Sequence, residues 1–386
     1  MAALPTAVHP LARAAGRFYR PQLDGLRFMA FFAVFVAHTT GGAGELIGAW
    51  GGISLRAGVY GVDLFFLLSA YLVTELLLRE GDLTASESPN DPKNRINLRA
   101  FWLRRILRIW PLYYTFLFTA PWLFPLLGRE DTADAAYLAA YAFFVGNWAC
   151  AARGFPKSPI GPLWSVSIEE QFYVAWPLLI RWIPRFRLVY LFGGMIGVAF
   201  LTRWVQYHSG TRYPGTWCST LSRLDPLALG GLIALLLHGR ERVLGLGLRL
   251  GLLISGLASW ILVSRYAYID NQQSAAAVVL GLFMVGIGSS AMLLGALGTE
   301  TILGRFFGNR LIVYLGRISY GLYVFHGLSI AVIDRFGPSG REFSSLAIRK
   351  GFAMALTILL AAVSYRWIER PFLRLKDRFT VVASRP

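Results

Sequence analysis

The feature that most limits this chain is its series of apolar runs long enough to cross a bilayer. A hydrocarbon core about 30 Å thick takes roughly 20 residues of helix, and within it the backbone must satisfy its own hydrogen bonds. Ten segments fit: Leu23–Thr39, Val59–Leu78, Ile109–Leu127, Pro162–Trp182, Leu188–Gln206, Thr220–His238, Val243–Val263, Ala275–Leu297, Leu311–Ile333 and Leu346–Ile368. Charge is correspondingly scarce, at 15% of residues with a mean hydropathy of +0.51, where a soluble domain carries roughly 25%. The expectation is an all-α, polytopic integral membrane protein, with about ten transmembrane helices in one bundle. A further run, Ala133–Trp148, is shorter and flanked by Asp131 and Asp134. It is expected to lie outside the membrane or to re-enter it.

The net charge of +17 does not form one stripe, so nucleic acid is not an expected partner. Arginine instead flanks the apolar runs, as in cytoplasmic segments that meet anionic lipid. It is dense before the first run, in Arg79–Arg108, Arg181–Arg187, Arg240–Arg249 and Arg305–Arg310, and after Tyr365. That pattern places both termini in the cytoplasm of a multi-pass cell (inner) membrane protein. The loop Ser339–Lys350, with Arg341, Arg349 and Lys350, is the exception. The chain divides into a cytoplasmic tail over 1–20, a membrane domain over 21–375 and a second tail over 376–386. Cys150 and Cys218 are too few for a disulfide framework or a structural zinc site, and a bond between the two is left open. No metal is expected.

Ionisable residues inside spans are costly and tend to be functional. His38 ends the first run, 14 residues after Asp24, or roughly 21 Å up a helix. A neutral imidazole there could take a proton from a hydroxyl, or simply bond to backbone. Asp63 opens the second run at a similar depth and could orient a histidine or form a structural ion pair. Glu169 and Glu170 are adjacent and point about 100° apart on a helix, so one could face a site and the other a structural arginine. Ser165 and Glu169, four apart, share a face. Arg223 and Asp225 enter the sixth run and could pair with each other. His326 competes with His38 as a base, or is a hydrogen-bonded core histidine. At the opposite end Arg104, Arg105 and Arg108 cluster, and guanidinium forks suit phosphates as well as lipid headgroups.

These residues sit in motifs that run in order along the chain: Gln22-Leu23-Asp24-Gly25-Leu26-Arg27 leading to His38; Gly61-Val62-Asp63-Leu64-Phe65-Phe66-Leu67-Leu68-Ser69; Arg105-Ile106-Leu107-Arg108-Ile109-Trp110-Pro111; Leu163-Trp164-Ser165-Val166-Ser167-Ile168-Glu169-Glu170-Gln171-Phe172-Tyr173; Ser319-Tyr320-Gly321-Leu322-Tyr323-Val324-Phe325-His326; and Glu369-Arg370-Pro371-Phe372. Together they resemble the membrane-bound acyltransferase family 3. Ala70 stands where that family usually has glycine, and Phe325 where tryptophan is common. The resemblance implies transfer of an acyl group, commonly acetyl, from acyl-coenzyme A to a hydroxyl of a glycan or glycosylated acceptor. Some members carry a fused extracytoplasmic esterase-like domain, and none is expected in this chain. The resemblance implies His38 as the essential histidine and Arg105 and Arg108 as ligands of the coenzyme A phosphates. Asp63 and Glu169 are then the candidate partners of His38. Ser165, Glu170, Arg223 and His326 are weaker candidates for substrate or oxyanion contacts. Two alternatives stay open: a macrolide or other small-molecule acceptor within the same family, and, in a different class, a transporter or flippase.

Overall fold

The computed structural model describes residues 18–39, 51–87, 96–128, 133–240, 244–267, 274–298, 301–338 and 343–379. Most of both expected tails, Asp131 and Arg341 lie outside the described residues. Among the described residues every regular element is helical, and the protein is an all-α polytopic membrane protein.

Each of the ten apolar runs holds a helix. They are α1 (Pro21–Thr39), α2 (Gly61–Glu87) and α3 (Leu98–Leu126). The run Ala133–Trp148 becomes two eight-residue helices, α4 (Ala135–Ala142) and α5 (Gly146–Arg153). At about 1.5 Å per residue neither reaches halfway across a bilayer. Then come α6 (Trp164–Trp182), α7 (Leu188–His208), the single turn α8 (Gly215–Cys218), α9 (Leu224–Leu237), α10 (Leu246–Tyr266) and α11 (Ala275–Ala296). A short helix, α12 (Ile302–Phe307), precedes a broken span, α13 (Arg310–Arg317) and α14 (Ser319–Phe336), bent by 72° at Ile318. α15 (Phe343–Ser364) leads through a π-helical turn, Tyr365–Glu369, into α16 (Arg370–Lys376).

Five helical segments are long and apolar enough to cross a membrane on those grounds alone, or six with the bent pair. The remaining expected spans fall short for a physical reason. α1 and α6 carry Asp24 with Arg27 and Glu169 with Glu170, and α3 beyond Arg108 interleaves Trp, Tyr, Thr and Pro among its apolar residues. α9 has 14 residues, only about 21 Å of helix. α1, α6 and α9 sit inside the bundle, while α3 leaves Phe118, Trp122 and Leu126 exposed. Four of the apolar helices form the bundle's outside: their most apolar windows are 28% buried in α7, 22% in α10, 39% in α11 and 17% in the segment containing α15, whereas the segment containing α2, equally apolar, is 83% buried.

Glycine lets the inner helices approach closely, as in other membrane bundles. A Cβ on Gly61 would sit 2.3 Å from the Ala30 carbonyl oxygen, and one on Gly230 would sit 2.3 Å from that of Leu67. α1, α2 and α9 are thereby held at backbone contact, which fixes the relative heights of His38, Asp63 and Asp225.

Candidate active site

Helical periodicity builds a polar lining inside the bundle. Residues three, four, seven or eight apart share a helix face, and four helices turn such faces inward. α1 contributes Arg27, Val34 and His38; α2 contributes Val62, Phe65 and Ser69; α6 contributes Ser165, Glu169 and Tyr173; α14 contributes Tyr320 and Tyr323. Three cavities lie between them, each sharing wall residues with the next. A mouth is lined by Arg20, Arg27, Arg104, Arg105, Arg108 and Lys376, with Asp24 and Glu80 as its carboxylates. It shares Arg27, Ser69 and Arg108 with a central chamber, which also exposes Glu169, Tyr173 and Ser165. The chamber shares Val62 and Tyr323 with a third cavity of about 320 Å³, at the level of His38. That volume is at the lower end of small-molecule sites, roughly 300–1,000 Å³.

At the third cavity the two histidines meet. His38 Nδ1 lies 2.9 Å from His326 Nε2, with the rings 5° from parallel. The Tyr323 carbonyl oxygen is hydrogen-bonded to His326 Nδ1. A carbonyl can only accept, so that nitrogen carries a proton, and in a neutral ring Nε2 is then the acceptor. His38 must therefore donate from Nδ1, which leaves a lone pair on its Nε2. His38 lines the cavity, while His326 is buried behind it. A chain of carbonyl and imidazole thus sets the tautomer of the exposed ring, the task a carboxylate performs in a serine-protease triad.

The carboxylates expected beside His38 are elsewhere. Asp63, fully buried, pairs with Arg223 at 2.9 Å. Arg223 and Asp225 do not pair with each other, because residues two apart on a helix face away from one another. Asp225 is held instead by Arg203, at 3.0 and 2.8 Å through both guanidinium nitrogens. The Arg223 guanidinium also lies 3.9 Å over the Trp217 ring, and Trp217 is a wall of the His38 cavity. The two crossed ion pairs brace α2, α7 and α9 behind that wall, and Arg223 itself does not line it. Arg203, a lone arginine in the apolar α7, was absent from the sequence reading although the cost of burying a charge in a span marks it.

Glu169 accepts a hydrogen bond from the Ser69 hydroxyl at 2.8 Å, and Ser69 also contacts the Tyr173 hydroxyl at 2.7 Å. It lies in the central chamber among arginines, below the histidines. Glu170 turns away and accepts from Trp110 Nε1 at 3.0 Å, so its partner is an indole in place of the expected arginine. Ser165 contacts the Tyr323 hydroxyl at 2.8 Å.

In the mouth, Arg104 is occupied by Glu80 at 3.3 Å and by the Phe379 carbonyl at 2.7 Å. Arg105 is stacked 4.9 Å over Tyr173 and 5.3 Å over Phe101, and no carboxylate among the described residues lies within ion-pair distance of it. Arg105 and Arg108, three apart, share the face that meets the cavity. The mouth is thus lined by more positive than negative side chains, with the Arg105 guanidinium held, among the described residues, by aromatic rings. That arrangement can hold a polyanion.

Cys150 and Cys218 are free, buried thiols on the short helices α5 and α8. A hydrogen bond from Cys218 lowers the Cys150 thiol, while burial raises Cys218 well above the usual thiol range. Among the described residues no three His, Cys, Asp or Glu side chains converge as metal ligands.

Comparison with known proteins gives one consistent match. A family model described as an acyltransferase domain fits residues 20–366. The O-acetyltransferase OatA of Staphylococcus aureus (strain NCTC 8325 / PS 47) is 28% identical over 375 residues, covering 92% of this chain and 57% of its own length. A protein of S. aureus strain MSSA476, provisionally named an O-acetyltransferase, is 28% identical over 369 residues with the same coverages. The chain therefore spans 57% of the length of these curated relatives. No solved structure matches.

Proposed function

This chain belongs to the acyltransferase domain family, and from that membership we propose that it moves an acyl group, acetyl above all, from acyl-coenzyme A to a hydroxyl of a glycan or glycosylated acceptor. The observation that carries the reading is a row of cavities, each sharing wall residues with the next, from an arginine-lined mouth to a histidine whose Nε2 has no hydrogen-bond partner among the described residues. The positive-inside rule puts the mouth in the cytoplasm of the cell membrane. Arg105 and Arg108, with Arg27, take the coenzyme A phosphates. The pantetheine arm carries the thioester through the central chamber toward His38.

The acceptor enters the opposite cavity. His38 Nε2 removes the hydroxyl proton as oxygen attacks the thioester carbon, and His326 holds the imidazole in the required tautomer. The Trp164, Trp217, Phe155 and Tyr213 rings in the cavity wall suit the apolar faces of a sugar ring. No charged side chain lines that cavity among the described residues, which favours an uncharged acceptor group.

The test is to incubate membranes bearing the protein with labelled acetyl-coenzyme A and candidate glycans, then identify the labelled product. Label on an acceptor hydroxyl that depends on His38 supports the reading. Substrate flux across the membrane without consumption of acetyl-coenzyme A would overturn it in favour of a transporter.

A further inference from the structure

The central chamber and the His38 cavity share only Val62 and Tyr323 in their walls, among the described residues. A donor arriving through one and an acceptor arriving through the other must react at that boundary. Val62 offers no polar hydrogen there. Tyr323 does.

Its hydroxyl is held in a closed triangle. Tyr323 Oη donates to the Pro162 carbonyl oxygen at 3.0 Å; the Ser165 hydroxyl is 2.8 Å from Tyr323 Oη and 3.3 Å from the same carbonyl. Two hydroxyls therefore converge on one carbonyl oxygen, which has two lone pairs. Redistribution within this group leaves no buried partner bare. If the phenol turns toward another oxygen, Ser165 still satisfies Pro162, so the penalty of an orphaned buried carbonyl is avoided. Both side chains are more than nine-tenths buried, in a setting where a hydrogen bond to developing negative charge is strong.

We propose, resting on the acyl-transfer reading above, that Tyr323 is a further catalytic residue, whose phenol donates to the oxyanion of the tetrahedral intermediate. The acceptor oxygen bonds to the thioester carbon, and the carbonyl π pair moves onto oxygen. Tyr323 O–H shifts from Pro162 to that oxygen, while His38 Nε2 takes the hydroxyl proton. On collapse the C–S bond breaks, and His38 returns the proton to the departing coenzyme A sulfur. The same residue's main-chain carbonyl holds His326, so one position sets the base with its backbone and the electrophile with its side chain. Arg223, the alternative cation, faces Asp63 and Trp217 and does not line either cavity.

Tyr323→Phe keeps the ring, which packs edge-on 6.0 Å from Phe65, and keeps the carbonyl that orients His326. The expected result is a fall in kcat of about 10²- to 10³-fold, the usual cost of one oxyanion donor, with the KM for acetyl-coenzyme A unchanged. If the variant does not fold, ring-fluorinated tyrosine at position 323 replaces it. A more acidic phenol is a stronger donor, so kcat should vary systematically with fluorine content. Wild-type kcat in Y323F, or no dependence on fluorination, overturns the assignment while leaving acyl transfer standing. A wild-type protein that consumes no acetyl-coenzyme A in the presence of any acceptor overturns the reaction and this assignment together.

Discussion

The two outer cavities are made of opposite chemistry. The mouth sets six cationic side chains against Asp24 and Glu80. The His38 cavity has aromatic and aliphatic walls and, among the described residues, no charged side chain. A cation-lined mouth is suited above all to anions; an aromatic cavity accepts a neutral ring but has nothing to offset the cost of desolvating a phosphate. Under the acyl-transfer reading, donor and acceptor are sorted by charge before they meet, and the chemistry is confined to the boundary between the two environments.

The sharpest way to break this contrast is at the reactive end. His38→Ala should lower kcat by about 10²- to 10⁴-fold, the range for a general base, and leave the KM for acetyl-coenzyme A unchanged. His326→Ala should lower kcat less, because a base remains but its tautomer is no longer fixed. The double variant should be no slower than His38→Ala, since the two rings act as one unit. Steady-state kinetics on purified protein checks all three. A double variant whose losses multiply would mean that the histidines act independently.

Behind the same cavity, Arg223→Met should cost about 3–5 kcal/mol of stability by leaving Asp63 as an unpaired buried charge. Adding Asp63→Asn should restore most of the loss. The measurement is detergent-resistant thermal unfolding of the single and double variants. This outcome separates the ion pairs from the chemistry: if Asp63 instead served His38 directly, the rescued double variant would be stable and inactive.

The sequence reading reached the all-α membrane bundle but not the pairings inside it, and the reasons are physical. Each span announces itself through length and hydropathy, and a charge in a span announces that it has a partner. Nothing local says which partner. Asp63 and Glu169 were both expected beside His38, yet Glu169 lies in the chamber below it and the azimuth of Asp63 was undetermined. Side-chain direction around the helix axis turned Asp63 to Arg223 and Glu169 to Ser69. Where periodicity could decide, it did so, as with Ser165 and Glu169 on one face of α6. It could also have rejected an Arg223–Asp225 pair from their two-residue spacing. The His38–His326 contact joins residues 288 apart in sequence, which only the packing of α1 against α14 specifies.

At the mouth the effect moves from rate to affinity. Replacing Arg105 or Arg108 with alanine removes charge-assisted hydrogen bonds to phosphate, each worth about 1.5–3 kcal/mol. The KM for acetyl-coenzyme A should rise about 10- to 100-fold per arginine, with kcat and the acceptor KM little changed. Arg104→Gln, whose guanidinium is already engaged by Glu80 and Phe379, should raise it less. Equal effects at positions 104 and 105 would mean that the free guanidinium is no better a ligand than the occupied one.

The mildest perturbation tests the contrast without altering a residue. Raising ionic strength from about 0.01 to 1 M shortens the Debye length from roughly 30 to 3 Å. Donor binding relies on charge, so its KM should rise with salt. The rise should be only a few-fold, because Arg105 and Arg108 lie in a half-buried cavity where mobile ions screen less than at an open surface. The KM of a neutral glycan acceptor should stay flat over the same range, since its cavity presents no charge to screen. Opposite behaviour, a flat donor and a salt-sensitive acceptor, would require the polyanion to enter at the histidine end. The direction of the salt dependence therefore tests which end receives which substrate, independently of any variant's folding.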